Sequence, residues 1–498
     1  MSGRLYICLA AVIFLALNVV GNALHQKEWL KVQDDQMYLL FLSLRYDDSE
    51  RAERLANLGH SAIEKRAENS RLIERSRLRW LYRDNYVGHL YLVYAGTLAT
   101  ASVIGGQVDA TFSETVAWGM SLGMLTASLL AGLLVVFALL RAADPLLALA
   151  VAIVAVIACY QSFIDLGASH KIFGNVAEGQ SFIFFRTISQ IFLIILDPGK
   201  STFLFGATPR SVFVLVLLAM FVLRWRSHFS LSYLMFFPMI LFHQSQAGLF
   251  LFGIVVLDLV LRPTVLLRPF NIGAIGLVAA VFFWRERLWE VVGAGLGPVE
   301  IGLIMLLPAL ALIRRIRVAV VMGYRNVSAM LRLRFLDRFL VWLREQDIVV
   351  SDLVMLSLGW LGFLMLTWAG NQFATAVQSD FFWNHIAGRV LGLIHPIVLT
   401  AICYLLLRHL AARQSAKSVL TWGVSTACLL SVPVVALNLP NALISDVVSR
   451  NIEKMRQLEH RAERDPIEVY RGQDEVRYYH ALAKTMATDK DLLKGLWK

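Results

Sequence analysis

The run PLLALAVAIVAVIACYQSFI, from Pro145 to Ile164, shows the feature that decides the fold class of this chain. The run contains no charged residue. A helix of about twenty apolar residues is long enough to cross the hydrocarbon core of a bilayer. Similar runs recur along the 498 residues, of which 57% are hydrophobic and 17% are charged. Because lipid offers no partner to unpaired backbone groups, these runs should be helices. The sequence therefore predicts an all-α polytopic membrane protein.

The apolar runs predict about 11 to 13 transmembrane helices, several of them short for a full crossing. In residue numbers, the expected spans are 4–24, 87–107, 115–140, 145–164, 181–197, 211–223, 229–243, 246–261, 270–284, 297–313, 350–370, 386–408 and 418–439. The first of them, in segment 1–24, is either a signal anchor or a signal peptide that ends near Ala23.

Positive charge orients the chain in the membrane. Four Arg-rich segments fall on alternate loops, which assigns those loops to the cytoplasm, although an inverted topology stays open. The segments are Arg224 with Arg226, Arg262 with Arg268, residues 314–317 and residues 408–417. The first loop, 25–85, and the charged helical tail, 441–498, then face outward on either side of a transmembrane domain, 86–440. Its basic segment 314–348 contains an amphipathic stretch from Met330 to Arg344, which predicts a helix lying on the cytoplasmic membrane surface.

Charge and motifs exclude several classes of protein. The formal net charge of +11 is typical of contact with the membrane surface, and no basic patch with interleaved aromatics indicates nucleic acid. The chain lacks a phosphate loop, an HExxH zinc motif and a dinucleotide fingerprint, so an ATP-driven pump or a zinc protease would lack its usual machinery.

The loop 25–85 is the most informative polar region. The acidic pair Asp34-Asp35 stands about ten residues beyond the first span, and a second pair, Asp47-Asp48, precedes a charged amphipathic stretch that runs to Trp80. Membrane-parallel helices are therefore expected in this loop. The acidic pair either caps and solvates such a helix or serves chemistry.

Three features together resemble the GT-C superfamily of integral-membrane glycosyltransferases. They are the acidic residues soon after the first span, the sequence Gly88-His89-Leu90-Tyr91 at the start of the second, and the polar break Phe242-His243-Gln244-Ser245-Gln246 before a later apolar span. The resemblance implies transfer, with inversion, of a sugar from a polyprenyl-phosphate-linked donor to a glycan, lipid or protein acceptor of the cell envelope. It also implies a location in the bacterial inner membrane.

The resemblance also implies the roles of particular residues. Asp34 or Asp35 is the expected catalytic base, with Asp47 and Asp48 as further possibilities, because a hydroxyl nucleophile must lose its proton. The departing phosphate needs positive charge, for which a divalent cation is an alternative to side chains, and no metal ligands are identified. The residues expected to bind the donor phosphate or the substrate are His89, Lys200, Arg210 and His243. The tail 441–498 is expected to pack against the first loop or to bind an envelope protein.

Two other classes of function remain open. A polysaccharide polymerase or ligase would use similar donors, but its key residues are expected in a large late loop, whereas the longest outward loop here comes first. A transporter or a noncatalytic scaffold of an envelope assembly would have ionisable residues in the middle of its spans. The main candidates for such residues, Asp258 and Arg186, lie near the ends of theirs.

Overall fold

The computed structural model describes residues 3–24, 112–160, 204–205, 209–242, 244–283, 334–359 and 382–442, together with a few single positions. Helices account for nearly all of these residues, and no strand occurs among them. The sequence-based prediction of an all-α polytopic membrane protein is therefore confirmed.

Thirteen helices are named here in chain order within those ranges. They are α1 (Gly3–Leu24), α2 (Phe112–Ala142), α3 (Pro145–Tyr160), α4 (Pro209–Trp225), α5 (Phe229–Leu234), α6 (Phe236–Phe242), α7 (Gln244–Leu261), α8 (Pro263–Leu266), α9 (Pro269–Phe283), α10 (Arg334–Glu345), α11 (Ile348–Gly359), α12 (Phe382–Arg413) and α13 (Ala416–Ala442).

Four of these helices are long and apolar enough to cross a membrane. The qualifying stretches are Gly3–Asn22, Leu125–Ala142, Leu393–Arg413 and Ala416–Ala436, which match four of the predicted spans. Helix α10 overlaps the amphipathic stretch predicted from Met330 to Arg344. Apart from Ala99, the predicted spans 87–107, 181–197 and 297–313 lie outside the residues that the structure describes.

The predicted span 229–243 is interrupted at one residue within an apolar helical stretch, Phe229–Ile240. Residues 229–243 were expected to form one span, but α5 ends at Leu234, and α6 begins at Phe236 after a turn at Met235. Pro238 supplies the physical reason, because its ring lacks an N–H and would clash with the carbonyl of Leu234, four residues earlier.

The chain divides into two compact units. The first comprises Met1–Asn18, Ala131–Leu204 and Arg210–Val434, and the second comprises Val19–Leu130, Phe205–Pro209 and Val435–Lys498. Helix α4 lies at the centre of the first unit, where every residue from Ser211 to Trp225 is buried. A helix that is apolar on all sides has no face to offer water, so the composition of α4 fits this position.

Several helices of the first unit begin or end close together. The Asp144 carboxylate, at the turn between α2 and α3, contacts Arg226 after α4 at 3.4 Å and Tyr404 on α12 at 2.6 Å. His228 Nε2 lies 3.1 Å from the carbonyl oxygen of Arg141, and Arg408 on α12 donates to Asp347 before α11. We call this part of the first unit the basic end.

Helix α1 starts at the same end. Gly3 lies against Pro145, the first residue of α3, and the Tyr6 hydroxyl lies 2.7 Å from the Thr421 hydroxyl near the start of α13. Three of the four Arg-rich segments therefore meet at the basic end, as the charge pattern predicts for loops on one side of a membrane. Which side the basic end faces stays a prediction.

Within the second unit, Gly21 on α1 permits a close approach of the Phe205 ring. A Cβ at position 21 would lie 2.6 Å from Phe205 Cδ2 and 3.0 Å from its Cβ. Both distances are shorter than van der Waals contact, and part of the clash is with atoms close to the backbone. Only a residue without a Cβ fits here without a shift of the neighbouring chain.

We therefore expect Gly21→Ala to destabilise the protein by about 1–3 kcal/mol, as overpacking generally does. The matched control is Gly253→Ala on α7, where an added Cβ meets nothing within 4 Å. Alanine should be neutral or stabilising there because it is the better helix former. Thermal unfolding in detergent compares the two variants, and equal midpoints would contradict the close contact at Gly21.

Candidate functional site

Most residues that the resemblance implies for the site cannot be placed. Asp34, Asp35, His89, Lys200 and His243 lie outside the residues that the structure describes, as do Asp47 and Asp48. Among the candidate residues, Arg210 lies in the part of the chain that the structure describes.

Arg210 is the second residue of α4, directly after Pro209, and its side chain is partly buried. Proline is favoured in the first turn of a helix because its missing N–H has no partner there in any case. Fourteen residues separate Arg210 from Arg224, which corresponds to about 21 Å along the helix axis. Arg210 therefore lies at the opposite end of α4 from the basic end.

The main polar constellation in the described part of the chain is an ion network around Arg224, in the last turn of α4. This guanidinium is fully buried. Its Nη1 and Nη2 donate to the two carboxylate oxygens of Asp258 on α7, at 2.7 and 2.5 Å. Its Nε and Nη2 donate to those of Asp352 on α11, at 2.7 and 3.2 Å. One guanidinium thus joins three helices.

Three further side chains complete the network. Arg262, just after α7, donates from Nη1 to Asp352 at 3.2 Å and from Nη2 to the Ser351 hydroxyl at 2.5 Å. The Tyr233 hydroxyl on α5 donates to Asp258 at 2.9 Å. Two arginines face two carboxylates, so the formal charge of the network is zero, as a low-dielectric interior requires.

The aromatic ring of Phe229 lies beside the network. The guanidinium carbons of Arg224, Arg262 and Arg268 lie 5.5, 5.8 and 5.9 Å from its centroid. A cation over an aromatic face is attracted by the ring quadrupole. Phe229 therefore adds a favourable contact to three cations that would otherwise repel one another.

Two aspartates of the basic end also cap helices. Asp144 accepts hydrogen bonds from the N–H groups of Leu146 and Leu147 at the start of α3, at 3.0 and 3.2 Å. Asp347 accepts one from the N–H of Val349 at the start of α11, at 2.9 Å. Such caps satisfy donors that have no partner inside the helix, so each carboxylate both begins a helix and binds a cation.

Asp347 is held in its ionised form. Its partial burial disfavours the charge, but the hydrogen bonds from Arg408 and from the Val349 N–H outweigh this effect, so the pKa of Asp347 lies below its usual value. The contribution of Asp347 to stability is therefore present at neutral pH and is lost as the pH falls through this lowered pKa.

The geometry limits what the network can do chemically. Asp258 accepts from Arg224 and Tyr233, and Asp352 accepts from Arg224 and Arg262, so neither carboxylate is poised to take a proton from a substrate. Among the described residues, no group of three His, Cys, Asp or Glu side chains is arranged to hold a metal ion. The network therefore fits a structural role that ties α4, α7 and α11 together.

Comparison with known proteins gives no match, since none of the family models, curated proteins or solved structures compared is similar to this chain. The assignment of function therefore rests on the chain's own residues.

Replacing Arg224 tests the structural role of the network. In Arg224→Met, two buried carboxylates keep only Arg262 as a cationic partner, so we expect a loss of about 3–5 kcal/mol in the free energy of unfolding. Adding Asp352→Asn should recover part of this loss, because it removes one uncompensated charge. Unfolding of the purified protein in mixed detergent micelles compares the wild type with both variants.

The matched control is Arg226→Met, two residues further along the chain. Arg226 is 44% exposed and pairs with Asp144 at 3.4 Å, so its loss should cost less than about 1 kcal/mol. An equal loss of stability in the two variants would contradict the expectation that the buried Arg224 stabilises the fold more than the exposed Arg226.

Proposed function

We propose that the protein is an integral-membrane glycosyltransferase that moves a sugar from a polyprenyl-phosphate-linked donor to an acceptor of the cell envelope. Loop 25–85 would supply the catalytic carboxylate, and Arg210 would contribute positive charge.

The observation that carries this proposal is the acidic pair Asp34-Asp35, which stands about ten residues after the apolar first helix, as in the GT-C superfamily that the sequence resembles. Helix α1 directly precedes loop 25–85 in the sequence, starts beside Pro145 and Thr421 at the basic end, and is long and apolar enough to cross a membrane. Helix α4 runs the other way and places Arg210 at the end remote from Arg224.

Sugar transfer needs both a carboxylate and a positively charged group. A carboxylate, Asp34 or Asp35, would take the proton of the acceptor hydroxyl as its oxygen attacks the anomeric carbon of the donor. The bond between that carbon and the phosphate oxygen breaks, with inversion, and the electron pair leaves with the polyprenyl phosphate. Lys200 and Arg210, or a divalent cation, would stabilise the charge that develops on this leaving group. His89 and His243 would bind the donor or the acceptor.

A transporter is supported less well by the described residues. Buried ions on a transport path are expected in the middle of spans. Asp258 is the fourth residue from the end of α7, Asp352 is the fifth residue of α11, and both are paired with arginine.

The double variant Asp34→Asn, Asp35→Asn tests the proposal. Loss of a general base should lower the rate of sugar transfer by about a hundredfold or more, whereas an amide of the same size should leave folding unchanged. Membranes that contain each variant are incubated with polyprenyl-phosphate sugars, and transfer to the native acceptors is followed by mass spectrometry. The amount and thermal stability of the protein are measured in parallel.

Two further variants complete this experiment. Glu68→Gln, in the same loop, is the control for loss of one negative charge, and Asp47→Asn, Asp48→Asn tests the second acidic pair. Full activity of both double variants at normal protein levels would contradict the proposed role of the loop.

A further inference from the structure

We infer that the basic end holds a single anionic phospholipid, with its phosphate between Arg262 and Arg268 and one acyl chain along α7. This binding site uses none of the residues proposed for the glycosyltransferase site.

Arg268 provides the positive charge that the ion network does not neutralise. Arg224 and Arg262 are balanced by Asp258 and Asp352, whereas the exposed Arg268 lies on the Phe229 ring without an ion pair in the described part of the chain. Arg262 keeps 17% of its side chain exposed. Because both guanidinium carbons lie within 6 Å of the Phe229 centroid, they are no more than about 12 Å apart. A phosphate diester with one negative charge matches the excess charge of this pair.

The neighbouring surface suits an acyl chain. Phe252, Val256 and Leu259 are exposed and recur at helical spacing, so they form one apolar face of α7 that leads towards Arg262. Phe270, two residues after Arg268, is 68% exposed. An apolar helix face that ends in arginines with an adjacent aromatic side chain is expected where lipid tails meet their headgroups. This apolar face selects a phospholipid over a free phosphate ion.

Native mass spectrometry of the full-length protein in neutral detergent tests the inference. The probes are dioleoyl phosphatidylglycerol, dioleoyl phosphatidylcholine and inorganic phosphate. We expect the protein to bind phosphatidylglycerol more tightly than phosphatidylcholine, and Arg268→Gln to weaken the binding of phosphatidylglycerol about fivefold, as the loss of one cation near an anionic lipid predicts. Arg268→Lys should retain most of the affinity, because it keeps the charge.

The matched control is Arg413→Gln, which removes an exposed arginine from the last turn of α12. It should leave the binding of phosphatidylglycerol unchanged. Three results would each overturn the inference: equal binding of the two lipids, an equal loss in the Arg413 variant, or full displacement of phosphatidylglycerol by inorganic phosphate.

Discussion

The first unit depends on how one arginine is neutralised away from water. Arg224 closes the last turn of a helix that is buried on all sides, so its charge must be balanced within the protein. Two carboxylates from α7 and α11 provide this balance through four hydrogen bonds. Removing an ion from water is costly, and only good geometry with complete pairing offsets the cost. The ends of α4, α7 and α11 are therefore held in one arrangement.

The remaining contacts of the basic end extend this arrangement outward. Asp347 and Asp352 lie on either side of the first turn of α11, so α11 is tied to α12 through Arg408 and to α4 through Arg224. Helix α10 precedes α11 by only two residues, and its partly apolar surface includes the stacked rings of Phe339 and Trp342. Both side chains are at least partly exposed, which suits a helix at a membrane surface.

The sequence predicted features that depend on local composition. Apolar runs located the long helices, and arginine-rich segments indicated which helix ends lie together. The interruption at Met235 was not predicted because the run 229–243 is mostly apolar, although Pro238 was the available signal. The pairing of Arg224 with Asp352 was also missed, because the two residues are 128 positions apart and no local pattern specifies that contact. Asp258 could be recognised as an ionisable residue near the end of a span, but its partner could not.

The residues proposed for the catalytic site rest on resemblance alone. Composition alone gives Asp34 and Asp35 no role beyond that of a solvated acidic pair near a membrane. The described helices add the ion network around Arg224 and the position of Arg210 at the other end of α4.

The most direct test of the predicted topology is the accessibility of one cysteine in each of two loops that are expected on opposite sides of the membrane. Ser61→Cys lies in loop 25–85, and Gln414→Cys lies in the exposed turn between α12 and α13, in a background without the four native cysteines. In intact cells, a membrane-impermeant maleimide should label position 61 and should reach position 414 only after the membrane is opened. Labelling of both positions from the same side would contradict the account.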